Sequence, residues 1–232
     1  MFTATLSQIQ QATPSVKAFQ LKVDDPAFHF LAGQWIDLQI ELAGTPHLGG
    51  YSMTSSPEVH GEIELAIKSS TRHPVTRWLH EQARVGDTVQ ISGGQGVFVY
   101  QPEMSQRIVL VGAGVGVTPL ISIFRYVADA VPGTDATLVY SIPSPDEFLF
   151  RDEIERLTQQ FHNLHSLVSV TQADAHWQGL SGRTDAALLQ RAGMSNDTLY
   201  YLCGPQGMVE DVSAMLASLN VPASRIIYEK WW

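Results

Sequence analysis

Residues 107–119 read RIVLVGAGVGVTP, and this stretch decides the fold of the second half of the chain. Its first five residues are an apolar run of the kind that forms a strand buried on both faces of a parallel sheet. Three glycines follow in alternation, Gly112, Gly114 and Gly116. Glycine lets a backbone turn sharply and pass close to a pyrophosphate, so the stretch predicts a strand that leads into a nucleotide-binding loop.

A helix is expected directly after this loop. Thr118 is placed to act as its N-cap and Pro119 as its first residue. The backbone N–H groups at such a helix start attract anions; the alternative is a tight structural turn without a ligand. One part of the ordinary dinucleotide fingerprint is missing, because the second strand ends in Tyr140-Ser141-Ile142-Pro143 and carries no acidic residue there.

Apolar runs and helical patterns alternate from residue 107 onward. Strands are expected over 107–111, 137–140, 165–170, 198–202 and 225–228, and helices over 119–130, 146–160, 184–192 and 206–219. This alternation predicts an α/β domain with a doubly wound parallel sheet, because each helix returns the chain to the start of the next parallel strand.

The residues before 100 show the two-residue period of half-buried strands. Strands are expected over 3–9, 16–23, 35–40 and 62–67, with one helix near 75–83. Short strands at this spacing predict an antiparallel barrel. The expected fold class is therefore α+β with two domains, a Greek-key antiparallel β-barrel at residues 1–102 and a doubly wound α/β domain at residues 103–232.

Composition narrows the class of protein. The chain has 232 residues, a formal net charge of −9 and 44% hydrophobic residues, which indicates a folded, acidic protein that disfavours nucleic acid as a partner. It has no apolar run long enough to span a membrane and no signal-peptide pattern at its start, so a cytoplasmic location is expected. The single cysteine, Cys203, excludes an internal disulfide and a cysteine-ligated metal site, and no metal is expected.

Three motifs, in this order, resemble the ferredoxin–NADP reductase family. They are the residues 50–55 (GYSMTS), the glycine loop ending in Thr118-Pro119, and the residues 203–208 (CGPQGM). Within that family the chain looks most similar to small bacterial oxidoreductases without an attached ferredoxin domain. The resemblance covers nearly the whole chain, and it implies a barrel that binds FAD followed by a domain that binds NADH or NADPH as hydride donor.

The resemblance also assigns residues to the flavin. Tyr51 is expected to lie against the flavin ring, as an aromatic face suits stacking, and Ser52 is expected to hydrogen-bond near flavin N5 as a catalytic residue. Two neighbours, Met53 and Thr54, are expected to complete this contact. Taken in isolation, the two residues would be better explained as a barrel-core tyrosine and a turn serine.

The flavin phosphate is expected at the start of the helix near residue 75. The residues assigned to it are Pro74, Val75 and Thr76, of which Thr76 matches the family's Ser/Thr position. The family usually has arginine two positions before the tyrosine, whereas this chain has Gly49. Either phosphate binding is weaker or another cation serves, for which Arg72 and Arg77 are the candidates, with a solvated surface as their alternative role.

For the nicotinamide nucleotide, the resemblance implies contacts with the glycine loop and with the third motif. Cys203 is expected beside the reactive nicotinamide carbon, where it shapes hydride geometry without acting as a nucleophile; a small buried cysteine at a strand end is the alternative. The other expected contacts of this motif are Gly204, Pro205 and Met208.

The end of the sequence reads Tyr228-Glu229-Lys230-Trp231-Trp232. By resemblance, Trp231 covers the nicotinamide face and Trp232 the adenine end, and Glu229 contacts the nicotinamide or balances protons near N5. Core packing of the last strand is the alternative for the two tryptophans. Arg183 matches a position that can meet the 2′-phosphate of NADPH, although it could equally pair with a surface acid.

The function expected from these observations is a flavin-dependent oxidoreductase. It would transfer hydride from NAD(P)H to bound FAD and pass the electrons to a separate acceptor such as ferredoxin or flavodoxin. One alternative is an NAD(P)H:flavin reductase that uses free flavin as a substrate. Another is a flavin-binding electron-transfer subunit of a larger complex.

Overall fold

The structure, a computed structural model, describes residues 1–174, 176–193, 195 and 197–231. The first part of the chain forms a six-stranded antiparallel sheet in the order β4-β3-β6-β1-β2-β5. Its elements are β1 (Phe2–Thr13), β2 (Val16–Lys22), β3 (Trp35–Leu42), β4 (Thr45–Ser52), β5 (Glu62–Lys68), helix α1 (Pro74–Glu81) and β6 (Thr88–Ile91).

The sheet closes on itself into a barrel. An antiparallel bridge between Met53 and Leu65 joins the end of β4 to β5, so the two edge strands of the sheet meet. Burial alternates along the strands as the sequence predicts, and Ile36, Leu38 and Ile40 of β3 all point into the barrel core.

The second part of the chain forms a six-stranded parallel sheet in the order β10-β9-β8-β7-β11-β12. Its elements are β7 (Arg107–Ala113), α2 (Val117–Ala130), β8 (Asp135–Ile142), α3 (Arg151–Gln160), β9 (Leu164–Val170), β10 (Leu180–Ser181), α4 (Ala186–Arg191), β11 (Leu199–Cys203), α5 (Gln206–Ser218) and β12 (Ile226–Tyr228). The predicted α+β fold with two sheets is confirmed.

The winding direction of this parallel sheet reverses at β7. The chain moves from β7 to β8, β9 and β10 on one side, and then returns to place β11 on the other side of β7. In the pairing of these two strands, Gly112 lies opposite Cys203. Ligands of such sheets bind in the crevice where the order reverses, at the carboxyl ends of the strands.

Two local predictions are wrong. Thr118 is not the N-cap of α2, because a 3₁₀ turn over Gly114–Gly116 leads directly into the helix, which begins at Val117. The Thr118 hydroxyl points backward and donates to the carbonyl of Val115, 2.9 Å away. Pro119 is therefore the third helical residue, still within the first turn, where a missing N–H is harmless.

The helix predicted over 146–160 is also shorter than expected. A 3₁₀ turn at Pro145–Glu147 comes first, and α3 begins at Arg151. Phe150 between them has a φ of 62°, in the left-handed region, which ends any continuous helix at that point. The apolar pattern of this segment thus reflects two short elements and not one helix.

A shared apolar cluster joins the barrel to the parallel sheet. Phe98 and Tyr100, which follow the barrel strands, pack in one cluster with Leu120 and Phe124 of α2. The Tyr201 hydroxyl of β11 donates to the carbonyl of Val99, 2.8 Å away. The two sheets therefore form a fixed cleft between them. Among the described residues, no helix is both long and apolar enough to cross a membrane.

Candidate active site at the cleft between the two sheets

A cavity of about 830 Å³ lies between the barrel and the carboxyl edge of the parallel sheet. The barrel lines it with β4 residues 50–52 and β5 residues 66–68, and the second sheet lines it with the loops that follow β7, β8, β9 and β11. The cavity has the size of a cofactor site. It also coincides with the reversal point of the sheet, where ligands of this architecture bind.

Tyr51 forms part of the barrel wall of this cavity. Its hydroxyl is 2.9 Å from the hydroxyl of Thr76, which links β4 to the first turn of α1. Burial raises the pKa of the Tyr51 phenol, an effect that the bond to Thr76 partly opposes. The ring is therefore held as a neutral aromatic surface, with the buried Ser52 next to it on the cavity lining.

The space beside Gly49 is already occupied. A Cβ atom at this position would lie 2.7 Å from the Tyr51 hydroxyl oxygen and 2.9 Å from His73 Cε1. An arginine side chain therefore has no room there without a shift of both neighbours. His73 was not predicted as a site residue, although it directly precedes Pro74, the first residue of α1.

The two arginines expected near this helix start do not lie on the cavity lining. Arg77 Nε is 3.5 Å from Glu81 Oε2, in an ion pair on the exposed face of α1. Arg72 is exposed as well. Among the described residues, the cation on the barrel side of the cavity lining is Lys68, which belongs to none of the three sequence motifs.

Three of the residues assigned to the flavin point their side chains away from the cavity. Met53 and Val75 are fully buried in the barrel core. Thr54 is also fully buried, and its hydroxyl donates to the carboxylate of Glu64 at 2.6 Å. Pro74 is exposed at the start of α1. These residues would support the wall of a cofactor site without lining it, whereas Tyr51 and Ser52 line the cavity.

The glycine loop forms the opposite wall. Gly114, Gly116 and Thr118 line the cavity, whereas Gly112 and Pro119 pack inward. A Cβ atom at Gly116 would collide with the Cys203 carbonyl and come within 2.6 Å of Gly204 Cα. Only glycine therefore allows the start of α2 to approach the end of β11 this closely.

Cys203 ends β11 at the floor of the cavity. Its thiol is buried, and burial together with the nearby Glu229 carboxylate raises its pKa to about 12. The thiol therefore stays protonated at neutral pH and is no nucleophile. Three residues of the same motif, Gly204, Pro205 and Met208, line the cavity beside it.

Trp231 lies across the barrel side of the cavity. Its ring atom Cζ3 would be 3.2 Å from a Cβ at Gly50, and its ring packs edge-on against Trp35 with centroids 5.7 Å apart. Its Nε1 donates to Glu229 Oε2 at 3.0 Å. Burial raises the pKa of Glu229 to about 7, and the bond from Trp231 opposes this rise. Trp232 lies outside the described residues.

The far end of the cavity is polar. The Ser141 hydroxyl, at the end of β8, lies 2.9 Å from the Ser169 hydroxyl and 3.0 Å from the Thr184 hydroxyl. Arg183 is exposed on the lining next to Thr184, and it forms no ion pair within the described part of the chain. A charged group of a nucleotide would find this guanidinium available.

The residues present fit a flavin and a nicotinamide nucleotide. On the barrel side, a flat strand at Gly50, an aromatic ring and a hydroxyl share one surface. On the other side, glycines open the backbone N–H groups of the loop to the same cavity.

Comparison with known protein families divides the chain into the same two parts as the two sheets. Residues 3–100 match the family described as oxidoreductase FAD-binding domain. Residues 110–214 match the family described as oxidoreductase NAD-binding domain. Together these matches cover most of the chain, in the order that the two sheets have in the structure.

Relatives cover the full length of the chain. It is 37% identical to oxidoreductase NAD-binding domain-containing protein 1 of Danio rerio, over 100% of this chain and 92% of that protein. The FAD/NAD-binding domain of nitric oxide dioxygenase from Vibrio cholerae superposes with a TM-score of 0.87 at 26% identity, covering 98% of this chain and 97% of that one. A ferredoxin–NADP⁺ reductase from Neisseria gonorrhoeae, solved with FAD and NADP, shares the fold with a TM-score of 0.86 at 21% identity, covering 99% and 98%.

Proposed function

Because this chain belongs to the FAD- and NAD-binding oxidoreductases of the ferredoxin–NADP reductase type, we propose that it delivers electrons from NADH or NADPH, through FAD, to a separate one-electron carrier protein. It is an NAD(P)H-dependent flavoprotein reductase. The carrier, which we propose to be a ferredoxin or a flavodoxin, is the part of this function that goes beyond the family.

One observation carries the proposal: a single cavity joins the Tyr51–Ser52 wall of the barrel to the glycine loop and the Cys203–Gly204 strand end. Hydride transfer requires the nicotinamide C4 to be held against the flavin N5. Two walls that face one cavity can hold the two ring systems in contact. The bound FAD would supply an acceptor of two electrons that can release them singly.

On the barrel side, we propose that Tyr51 supports the flavin ring by stacking and that Ser52 hydrogen-bonds near N5. The phosphate would lie at the start of α1, where His73 stands beside Gly49 and Thr76 is bonded to Tyr51. In this proposal His73, rather than Arg72 or Arg77, takes the place of the arginine that the family usually has.

On the nucleotide side, Gly114 and Gly116 would bring backbone N–H groups to the pyrophosphate. Cys203, protonated and buried, would limit the position of the nicotinamide. Trp231 would leave the flavin side of the cavity when the nicotinamide enters, and Glu229 would hold or release a proton close to the reacting rings. Arg183 would contact a 2′-phosphate when the nucleotide is NADPH.

An anaerobic titration tests this function. The purified protein should show oxidised-flavin absorbance, and stoichiometric NADH or NADPH should bleach it; oxidised ferredoxin or flavodoxin should then restore it. Restoration by neither carrier, with bleaching intact, would overturn the proposed acceptor. A colourless protein that oxidises NADH only when free riboflavin is added would instead support a flavin reductase, the function that the glycine at position 49 favours.

A further inference from the structure

Helix α2 contacts both walls of the cleft. Its first turn follows the glycine loop that lines the nucleotide side. Two of its polar residues, Ser122 and Arg125, are three positions apart and therefore share one face of the helix. Both reach across to the barrel, and both bind the chain segment that directly follows the flavin-facing Ser52.

Arg125 makes the most extensive contact. Its Nη1 donates to the carbonyl of Thr54 at 2.7 Å and to Glu64 Oε1 at 2.9 Å, both in the barrel. Its Nε and Nη2 donate to the two carboxylate oxygens of Glu153 on α3, at 2.9 and 2.6 Å. The guanidinium also lies over the ring of Phe150, 4.9 Å from its centre. Its planar fork of donors is therefore fixed in orientation.

Ser122 binds the barrel at two further points. Its hydroxyl donates to the carbonyl of Ser55 at 2.7 Å and accepts the backbone N–H of Gly33 at 3.3 Å. Ser55 follows the flavin-facing strand, and Gly33 leads into β3, the strand that carries Trp35. One fully buried hydroxyl thus joins the two chain segments that flank the flavin wall.

These bonds are not needed merely to hold the two domains together, because the apolar cluster at the interface already does so. A buried ionic network adds little net stability, since desolvation offsets much of its attraction. Apolar packing tolerates small sliding, however, whereas hydrogen bonds fix distance and direction. The contacts of Ser122 and Arg125 therefore fix alignment more than they add stability.

We propose that Ser122 and Arg125 are positioning residues that set the alignment of the segment 52–56, which begins at the flavin-facing Ser52, against the glycine loop, and so the geometry of hydride transfer. This inference rests on the proposed function. Neither residue lines the cavity, so neither contacts the flavin or the nucleotide. Their effect has to pass through the backbone carbonyls of Thr54 and Ser55.

The test compares Ser122→Ala and Arg125→Lys with two matched controls. Ser213→Ala removes a buried hydroxyl that has no hydrogen-bond partner among the described residues. Arg107→Lys changes an arginine at the opposite end of the parallel sheet, paired there with Asp135 on the surface. Flavin reduction by NADH is followed by stopped flow at several concentrations, which separates the limiting rate from the nucleotide Kd.

We expect the limiting rate to fall by about 10-fold or more in Ser122→Ala and Arg125→Lys, since small misplacements of reacting groups have large effects on rate. The nucleotide Kd and the flavin content should stay within about twofold of wild type, because the ligand contacts are unchanged. The long-wavelength charge-transfer absorbance of the reduced protein with NAD⁺ should weaken. In flavin-free protein, amide hydrogen exchange of segment 52–56 should be faster than in the controls.

Limiting rates equal to wild type in a folded Ser122→Ala protein would overturn the inference, whatever the outcome for Arg125→Lys. A rate loss explained wholly by flavin loss would overturn it as well. If Arg125→Lys fails to fold, Ser122→Ala decides, because it removes one hydroxyl and no charge. Failure of the wild type to be reduced by NADH or NADPH is a separate result, and it would overturn the proposed function.

Discussion

The indole nitrogen of Trp231 donates a hydrogen bond to the carboxylate of Glu229, two residues earlier in the chain, at 3.0 Å. This bond holds the ring at the barrel side of the cleft, beside Gly50 and Trp35. A nicotinamide that enters the same space has to displace the ring first. Under the proposed function, the pair would link nucleotide binding to the position of this tryptophan.

We expect Trp231→Ala to bind NAD⁺ and NADP⁺ at least about threefold more tightly than wild type, because the free energy needed to displace the ring disappears. Turnover should slow, since the product leaves more slowly. Titration of the flavin spectrum with each nucleotide measures the change. Tyr228→Ala, which removes an exposed aromatic of the same tail, is the control. Unchanged or weaker affinity in Trp231→Ala would make Trp231 a packing residue only.

The raised pKa of Glu229 predicts that the stability of the folded protein depends on pH. Burial raises its pKa from 4.5 to about 7, so the folded protein binds this proton more tightly than the unfolded chain does. The resulting stabilisation is fully present below pH 4.5 and is lost as pH rises toward 7. Because the group is partly exposed, we expect about 1–2 kcal/mol after solvent screening is taken into account.

Urea unfolding of wild type and Glu229→Gln between pH 4.5 and 8 measures this effect. The difference in unfolding free energy between the two proteins should change across this range, with wild type losing stability relative to the glutamine variant as pH rises. A constant difference would show that Glu229 titrates at its ordinary pKa.

Gly116→Ala should destabilise the protein by about 2 kcal/mol or more, because the added methyl group meets the backbone of Cys203 and Gly204 rather than flexible side chains. Nucleotide affinity should fall as well, since the glycine loop must move. Gly133→Ala is the matched control: a Cβ there meets nothing within 4 Å. Thermal unfolding of the two variants compares them, and equal melting temperatures would contradict the close approach at Gly116.

Tyr51→Ala should weaken flavin binding by about 1–3 kcal/mol, the scale of a lost aromatic stacking contact and its buried area. Tyr51→Phe keeps the ring and removes only the bond to Thr76, so it should lose about 1 kcal/mol or less. Fluorescence titration of the flavin-free proteins with FAD compares the FAD affinity of wild type, Tyr51→Ala and Tyr51→Phe. If the alanine and phenylalanine variants bind equally, the hydroxyl rather than the ring is what supports the flavin.

Arg183 is the guanidinium on the polar end of the cavity lining, and the residues after β8 and β9 that also line it, Pro143 and Thr171, carry no charge. We expect weak preference between NADH and NADPH in wild type. Arg183→Ala should lower kcat/KM for NADPH by about 5-fold or more and leave NADH nearly unchanged, because only NADPH has the 2′-phosphate. Equal losses for both nucleotides would show that Arg183 does not contact that phosphate.

The second sheet follows closely from the sequence, because buried parallel strands are continuous apolar runs that a local pattern reveals. The residues 107–111 fall within β7, and the residues 206–219 nearly coincide with α5. By contrast, β6 has four residues and β10 has two. Such short strands carry too little periodicity to be seen, and their formation depends on neighbours that are distant in sequence.

The contacts around the site show the same limit. Arg125 binds the carbonyl of Thr54, 71 positions earlier in the chain. No sequence pattern near Arg125 predicts this hydrogen bond. His73 stands beside Gly49 only because α1 packs against β4. Short motifs pointed to Tyr51 and Cys203, and both residues line the cavity. Residues that act across the interface between two domains can be identified only from the three-dimensional structure.

The anchoring of the tail sets a limit on how far its tryptophan can travel. β12 pairs with β11 through Tyr228, and the N–H of Glu229 still donates to the carbonyl of Leu202 at 3.3 Å. One residue, Lys230, then separates this last anchor from Trp231, so the Cα atoms of Glu229 and Trp231 are at most about 7 Å apart. Such a short connection confines the ring, which is 45% exposed, to positions close to the cleft. Under the proposed function, the ring would therefore compete with each arriving nucleotide as a tethered group at a high local concentration.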